Sequence, residues 1–196
     1  MTQNSLKIAV TGGIGSGKST VCEIIKKYGF PVYSCDQIYS ELLNSSDFLM
    51  KIENGFGGVL NSDGSLNRKE LSATVFNNES ALKKLNSITH PEIISEAFKK
   101  MEGSSIAFLE VPLLFENGFV DLFDGVIVVL RDIEDRINSV ISRSNLTRDE
   151  VLLRINSQYN YDKLDFTKYY AIHNCGNYED LDCKIRQILT KINTLI

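Results

Sequence analysis

The run Gly12-Gly-Ile-Gly-Ser-Gly17-Lys18-Ser19 satisfies G-x-x-x-x-G-K-[ST] at every fixed position. Such a run restricts the chain to folds in which a strand enters a glycine turn that opens into a helix. The flanks agree. Lys7 to Thr11 is a short apolar run that reads as a buried strand, and Lys18 to Tyr28 places Val21, Ile24 and Ile25 on one helical face, with Gly29 at its end. Glycines let the backbone turn tightly and aim several N–H groups inward. Those amides, with the positive end of the helix, cradle phosphate oxygens. The reading assigns Gly13, Ile14, Gly15, Ser16, Gly17, Lys18, Ser19 and Thr20 to a nucleoside triphosphate. Lys18 is expected to reach the β- and γ-phosphates, and the Ser19 hydroxyl to ligate Mg²⁺.

Further strands are expected at Phe30–Ser34, Ser105–Glu110, Gly125–Leu130 and, more weakly, Tyr169–Asn174. Gly125-Val-Ile-Val-Val-Leu130 is apolar throughout, as a parallel strand covered on both faces should be. Asp36 to Met101 reads as almost all helical, with Asp36, Asp47 and Asn67 as helix N-caps, a turn at Asn61–Gly64, and Pro91 in the first turn of a helix ending at Met101. Helices are also expected at about Asp132–Ser144, Thr147–Tyr159 and Tyr178–Ile196. Strands alternating with helices argue for an α/β fold with a doubly wound parallel sheet. The helical block is too long for a simple crossover and reads as an inserted lobe. The core is expected at about 6–35, 104–131 and 168–196, the lobe at 36–103 and a lid at 132–167, all in one domain spanning 1–196.

Phosphoryl transfer needs an acceptor base, a metal and charge neutralisation. Asp36 follows the second strand, where it reads equally as an acceptor base or a helix cap. Glu110 ends the third strand, as a holder of Mg²⁺-bound water or as an ordinary strand end. Arg131, Arg136, Arg143, Arg148 and Arg154 crowd into one segment. Arg136 and Arg143 are spaced to share a helical face, and Arg143 is the one read as functional, whereas Arg131 and Arg148 read as members of a solvated face.

The chain resembles the dephospho-CoA kinase family, roughly from Ile8 to Ile188. The likeness rests on Thr11 to Thr20, Leu66-Asn-Arg68, Val75-Phe76, His90-Pro91, Val111-Pro-Leu-Leu-Phe-Glu116, Arg143, Gln158 and Asn174-Cys-Gly176, in order and spacing. It implies a three-layer P-loop kinase fold with a five-stranded parallel sheet, an inserted helical acceptor lobe and a helical lid. It also implies ATP and Mg²⁺ as cofactors and dephospho-CoA as the acceptor, phosphorylated on its ribose 3′-hydroxyl. The resemblance makes Asp36 the base, assigns Arg68, His90, Pro112, Leu113, Leu114 and Glu116 to the acceptor, sets Arg143 on the ATP phosphates and places Asn174 near the adenine. Read without the family, His90 is a helix-start cap as readily as a ligand. The chain departs from the family at Ser34 and Cys35, where the pattern has Asp-Ala, and at Lys168-Tyr169, where it has Ala-Asp.

Composition excludes other classes. A formal net charge of −4 offers no basic field for nucleic acid, so any anion must be gripped locally. Four cysteines without C-x-x-C spacing, at Cys22, Cys35, Cys175 and Cys183, read as reduced thiols, mostly in the core, of a cytoplasmic protein. Met1 to Ser5 is polar and no run approaches a membrane span, so neither signal peptide nor membrane contact is expected. The expected assembly is a monomer or a weak homo-oligomer. Rival readings are a kinase of nucleosides, nucleotides or shikimate, and a regulatory NTPase switch. The switch lacks an Asn-Lys-x-Asp signature here, and Val111-Pro112 follows Glu110 where a switch would carry Asp-x-x-Gly. A nucleotide binder that has lost catalysis is hinted at by Ser34, and opposed by Lys18, Ser19 and Asp36.

Overall fold

The computed structural model describes residues 5–76 and 78–195. Its elements run β1 (Leu6–Thr11), α1 (Lys18–Lys27), β2 (Val32–Ser34), α2 (Cys35–Leu42), α3 (Ser46–Phe56), α4 (Arg68–Val75), α5 (Glu79–Met101), β3 (Ile106–Glu110), β4 (Gly125–Leu130), α6 (Ile133–Ile141), α7 (Arg148–Asn156), β5 (Tyr170–His173) and α8 (Tyr178–Asn193). The chain divides into two compact units. One joins the residues up to Tyr33 with those from Met101 onward, and the other is Ser34–Lys100.

The sheet order is β2-β3-β1-β4-β5. β1 pairs in parallel with β3, Leu6 opposite Ile106, and with β4, Ile8 opposite Gly125. β4 pairs in parallel with β5, Ile127 opposite Tyr170. β1 is therefore central, and its Ile8, Ala9 and Val10 have no exposure. One face packs on α1 and α8 through Val21, Ile24, Ile25, Ile185 and Ile192, all fully buried. Each such side chain contributes roughly 1.5–3 kcal/mol relative to exposure. All strands of the sheet present their carboxyl ends on one side, where ligands of open α/β sheets bind.

The second unit has its own core of Phe48, Ile52, Val59 and Leu71, with Tyr39 edge-on to Phe48. Its helices correct several local expectations. Ser34 and Ser45, not Asp36 and Asp47, stand at the N-cap positions of α2 and α3, and both aspartates lie in the first turn. Asn67 does cap α4, accepting from the Glu70 N–H at 3.1 Å. Pro91 does not start a helix; it lies inside the 23-residue α5. Proline removes one N–H···O bond from a helix interior. Burial on both sides of it, Leu85 and Ile88 before and Ile94, Ala97 and Met101 after, holds the helix continuous.

In the first unit, Ile137, Val140 and Val151 join α6 and α7 through a small core of their own. α6 ends at Ile141, short of the expected Ser144, and α7 starts from Thr147 with a reciprocal capping box to Glu150. The expected end of α8 at Ile196 lies outside the described residues; the helix stops at Asn193. Of the cysteines only Cys22 is core; Cys35 and Cys183 are half-buried and Cys175 is exposed. Burial, with Glu110 nearby, pushes the Cys22 thiol up to about 12.

Candidate active site

β1 delivers the glycine turn at the centre of the sheet's carboxyl edge. The first helical bond of α1 runs from Val21 N–H to Gly17 C=O at 3.1 Å, so the amides ahead of it project from the helix end. Gly17 sits at φ 94°, a left-handed conformation that disfavours a side chain, and a Cβ there would strike the Asn174 amide nitrogen. The Lys18 ammonium folds back on the loop, donating to the carbonyls of Gly12 at 2.9 Å and Gly13 at 3.2 Å. Ser19 Oγ donates to Glu110 Oε1 at 3.3 Å. Two oxygen donors from different elements thus meet beside the helix N-terminus, a donor set suited to Mg²⁺.

A cavity of about 480 Å³ opens beside this loop. Gly13 and Ser16 form its floor. The strand ends contribute Leu130, Arg131 and Asp132 from one side and His173, Asn174 and Cys175 from the other, and Tyr161, Asp162 and Phe166 line it too. Several lining groups are buried polar atoms without a hydrogen-bond partner: Ser16 Oγ, Tyr161 Oη and Arg131 Nε, the last at ion-pair distance, 3.9 Å, from Asp135 Oδ2. Buried polar groups are rarely left so. Their concentration on one cavity fits a polar ligand with both donor and acceptor atoms, as a nucleotide is. Burial pushes the Tyr161 phenol up to about 12, so it remains a neutral hydroxyl at neutral pH.

Arg136 covers the loop. Its Nε donates to Ile14 C=O at 2.9 Å, and a Cβ on Gly13 would collide with its guanidinium. It is half-buried, and that burial lowers its pKa from the ordinary arginine value without approaching neutrality in physiological conditions. Sequence reading singled out Arg143 rather than Arg136. The available signal was Gly13 itself, a small residue at a position where the motif allows any. Arg143 lies beyond the end of α6, exposed and away from the cavity lining, so the two arginines do not share a helical face. Arg148 forms a two-pronged ion pair with Glu134 at 2.6 and 2.8 Å, as a surface residue would. Arg131, expected on a solvated face, instead lines the cavity and reaches Gly15 C=O at 3.5 Å.

Asn174 is buried, with its Nδ2 on Ser16 C=O at 2.9 Å and its Oδ1 accepting from Gly176 N–H at 3.2 Å. The amide nitrogen thus braces the phosphate loop while the amide oxygen fixes the turn after β5, which places the residue at the cavity wall as a strut. His173, read as structural, is exposed on the cavity rim. In the segment after β3, Pro112 is half-buried, Leu113 exposed and Leu114 wholly buried, so Leu114 acts as a core anchor. Glu116 Oε1 accepts from Tyr159 N–H at 2.8 Å, and Phe115 stacks on Tyr159 at 4.9 Å. Gln158 accepts from Ile14 N–H at 2.7 Å. The family resemblance includes Gln158 but implies no role for it.

The second unit carries Asp36, Arg68 and His90. Asp36 is exposed in the first turn of α2 and, among the described residues, its carboxylate has no hydrogen bond or ion pair. The cap position of α2 belongs to Ser34 and not to Asp36. Arg68 is exposed at the start of α4. His90 is half-buried in α5, and burial lowers its pKa below the ordinary histidine value.

A five-stranded parallel sheet of this order, with G-x-x-x-x-G-K-S joining its central strand to the first helix, defines a P-loop kinase. The chain belongs to the dephospho-CoA kinase family, whose model matches residues 6–180. The dephospho-CoA kinase of Lactobacillus acidophilus is 36% identical over 192 residues, 94% of this chain and 96% of the relative. Among solved structures, TT1252 from Thermus thermophilus matches with a TM-score of 0.81 at 30% identity, over 95% of this chain and 97% of that one. The dephospho-CoA kinase from Campylobacter jejuni matches at 0.62 and 28%, over 96% and 97%. No helix among the described residues is long and apolar enough to cross a membrane.

Proposed function

We propose that the chain transfers the γ-phosphoryl group of ATP to the ribose 3′-hydroxyl of dephospho-CoA, giving coenzyme A and ADP. The observation that carries the phosphoryl-transfer half is the phosphate loop with the Ser19–Glu110 pair at one end and a cavity of unpartnered polar atoms at its side. The name shared by the curated relatives supports the acceptor.

In this reading the loop Gly13 to Thr20 holds the triphosphate, through amides other than that of Ile14, which Gln158 holds. Lys18 exchanges its loop carbonyls for β- and γ-phosphate oxygens, and Arg136 neutralises the spreading charge, joined by Arg143 only if the segment beyond α6 moves toward the loop. Ser19 and Glu110 would hold Mg²⁺, which would supply charge neutralisation to the transferred phosphoryl group. Ser16, Arg131, Tyr161 and Asn174 shape the nucleoside end. Asp36 takes the proton of the 3′-hydroxyl as its oxygen attacks phosphorus. Arg68, His90 and the segment Pro112 to Glu116, with Leu113 exposed on it, orient the acceptor in the lobe spanning 36–103. Ser34 stands where the family pattern carries a carboxylate, so the base role falls to Asp36 alone in this segment.

The test is ADP release with MgATP, comparing dephospho-CoA with adenosine, AMP and shikimate, with Asp36→Asn alongside. Release that requires dephospho-CoA, yields coenzyme A and drops by about 10²-fold or more in the variant supports both substrate and base. Release with another acceptor alone would overturn the acceptor. Unimpaired turnover by Asp36→Asn would overturn the base.

A further inference from the structure

One residue of the phosphate loop is held from three sides. Ile14 N–H donates to Gln158 Oε1 at 2.7 Å, and Ile14 C=O accepts from Arg136 Nε at 2.9 Å. The Ile14 side chain packs against the Ile137–Val140–Val151 cluster of α6 and α7. Arg136 lies on α6 and Gln158 just beyond α7, so the two ends of this helical pair clamp the same residue. Gln158 is followed at once by Tyr159. The Tyr159 N–H donates to Glu116 Oε1 at 2.8 Å, and its ring stacks on Phe115 with an interplanar angle of 25°. Phe115 is held in turn, edge-on, by Tyr161 and Tyr169. The segment 158–159 is thus a short bridge with one end on the phosphate loop and the other on the segment after β3.

The geometry points to a coupling role. We propose that Gln158 is a positioning residue linking the phosphate loop, through Tyr159 and Glu116, to the segment 112–116, so that acceptor and nucleotide each tighten the other's binding. The inference rests on the acceptor reading given above. The physical reason is the shortness of the path. Two hydrogen bonds, the Gln158 side chain and the peptide joining it to Tyr159 link Ile14 to Glu116, and Arg136 holds the carbonyl of the same Ile14. An acceptor that orders Glu116 therefore orders Ile14 before the phosphates arrive, and the ordering is then no longer charged against nucleotide binding. Linkage makes the effect reciprocal.

The test is calorimetric titration of the whole chain with Mg²⁺ and a non-hydrolysable ATP analogue, with and without saturating dephospho-CoA. The readout is the ratio of the two dissociation constants, in which any uniform loss of affinity cancels. The unmodified chain should give a ratio of about five or more. Gln158→Leu, of similar volume but without an acceptor oxygen, should bring the ratio near one. Gln158→Glu keeps an oxygen for the Ile14 N–H and should retain most of the ratio, even where its added charge weakens both constants. The inference is overturned if Gln158→Leu keeps the ratio, if both variants lose it alike, or if the unmodified chain shows a ratio of one. It is also overturned if Gln158→Leu binds no nucleotide, because Gln158 would then belong to the phosphate cradle itself. If dephospho-CoA does not bind the unmodified chain while the analogue does, the acceptor reading falls first and this inference falls with it.

Discussion

Gly13 and Lys18 carry opposite lessons about single residues. Lys18 is demanded by the motif, and its chemistry was legible from the sequence. Its resting partners, the carbonyls of Gly12 and Gly13, were not, because they depend on how the loop closes on itself. Lys18→Ala should lower kcat by about 10²–10³-fold, the scale for one charge-stabilising donor, as read by ADP release. Gly13 is optional in the motif, yet the Arg136 guanidinium occupies the space a Cβ would need. Gly13→Ala should displace that guanidinium and cost about 1–3 kcal/mol of stability by overpacking, read as a lower thermal midpoint. His90 offers a pH test. Its folded pKa is depressed, so the unfolded chain binds the proton more readily below about 6.5, and this contribution to stability is present above that pH and lost as pH falls through the folded value. An NMR titration of the His90 ring should show a midpoint below the ordinary 6.5. A midpoint at or above that value would mean that burial does not dominate its surroundings.

At the scale of elements, strands were the more legible. β4 was read with its observed bounds because a fully buried parallel strand announces itself as an unbroken apolar run. Helix starts were less legible, because several polar residues in a row compete for one cap position. At α2 the backbone places Ser34 at the cap and Asp36 in the first turn, a shift of two residues that frees the carboxylate. α5 misled more strongly. Pro91 is a start signal by local rule, and only the apolar surface buried on both sides of it reveals a continuous helix. Pro91→Ala should restore the missing N–H to that helix and raise stability by about 1–3 kcal/mol, less the entropy that proline removes from the unfolded chain. Asn67→Ala should uncap α4 at a cost of about 1 kcal/mol. Because Arg68 stands at the first position of that helix, the same variant should raise KM for the acceptor while leaving KM for ATP unchanged. A rise in both constants would detach Arg68 from the acceptor.

For the molecule as a whole, one local motif and a strand count were enough to fix the architecture, since few parallel arrangements place a phosphate loop at the centre of five strands. The cavity was less legible. Arg131, Tyr161 and Asn174 come from three separate stretches of chain, and no spacing rule relates them; only the closure of β4 and β5 brings them together. The unpartnered atoms of Ser16, Arg131 and Tyr161 bear on stability as well as recognition, because a group buried without a partner costs about 1–3 kcal/mol until something satisfies it. A ligand that supplies those partners binds the folded chain and not the unfolded one. At a free concentration 100 times its dissociation constant, such a ligand stabilises by about 2.7 kcal/mol. For a chain of this length each kcal/mol moves the melting midpoint by about 2–4 °C. MgADP at that ratio should therefore raise the midpoint by about 5–11 °C, measured by scanning calorimetry. Tyr161→Phe removes one of the unpartnered hydroxyls, so it should raise the midpoint of the ligand-free chain while shrinking the shift that MgADP produces. Loss of midpoint in the ligand-free variant would show instead that the hydroxyl is satisfied within the fold, by Thr11 beside it, and serves packing rather than the nucleotide.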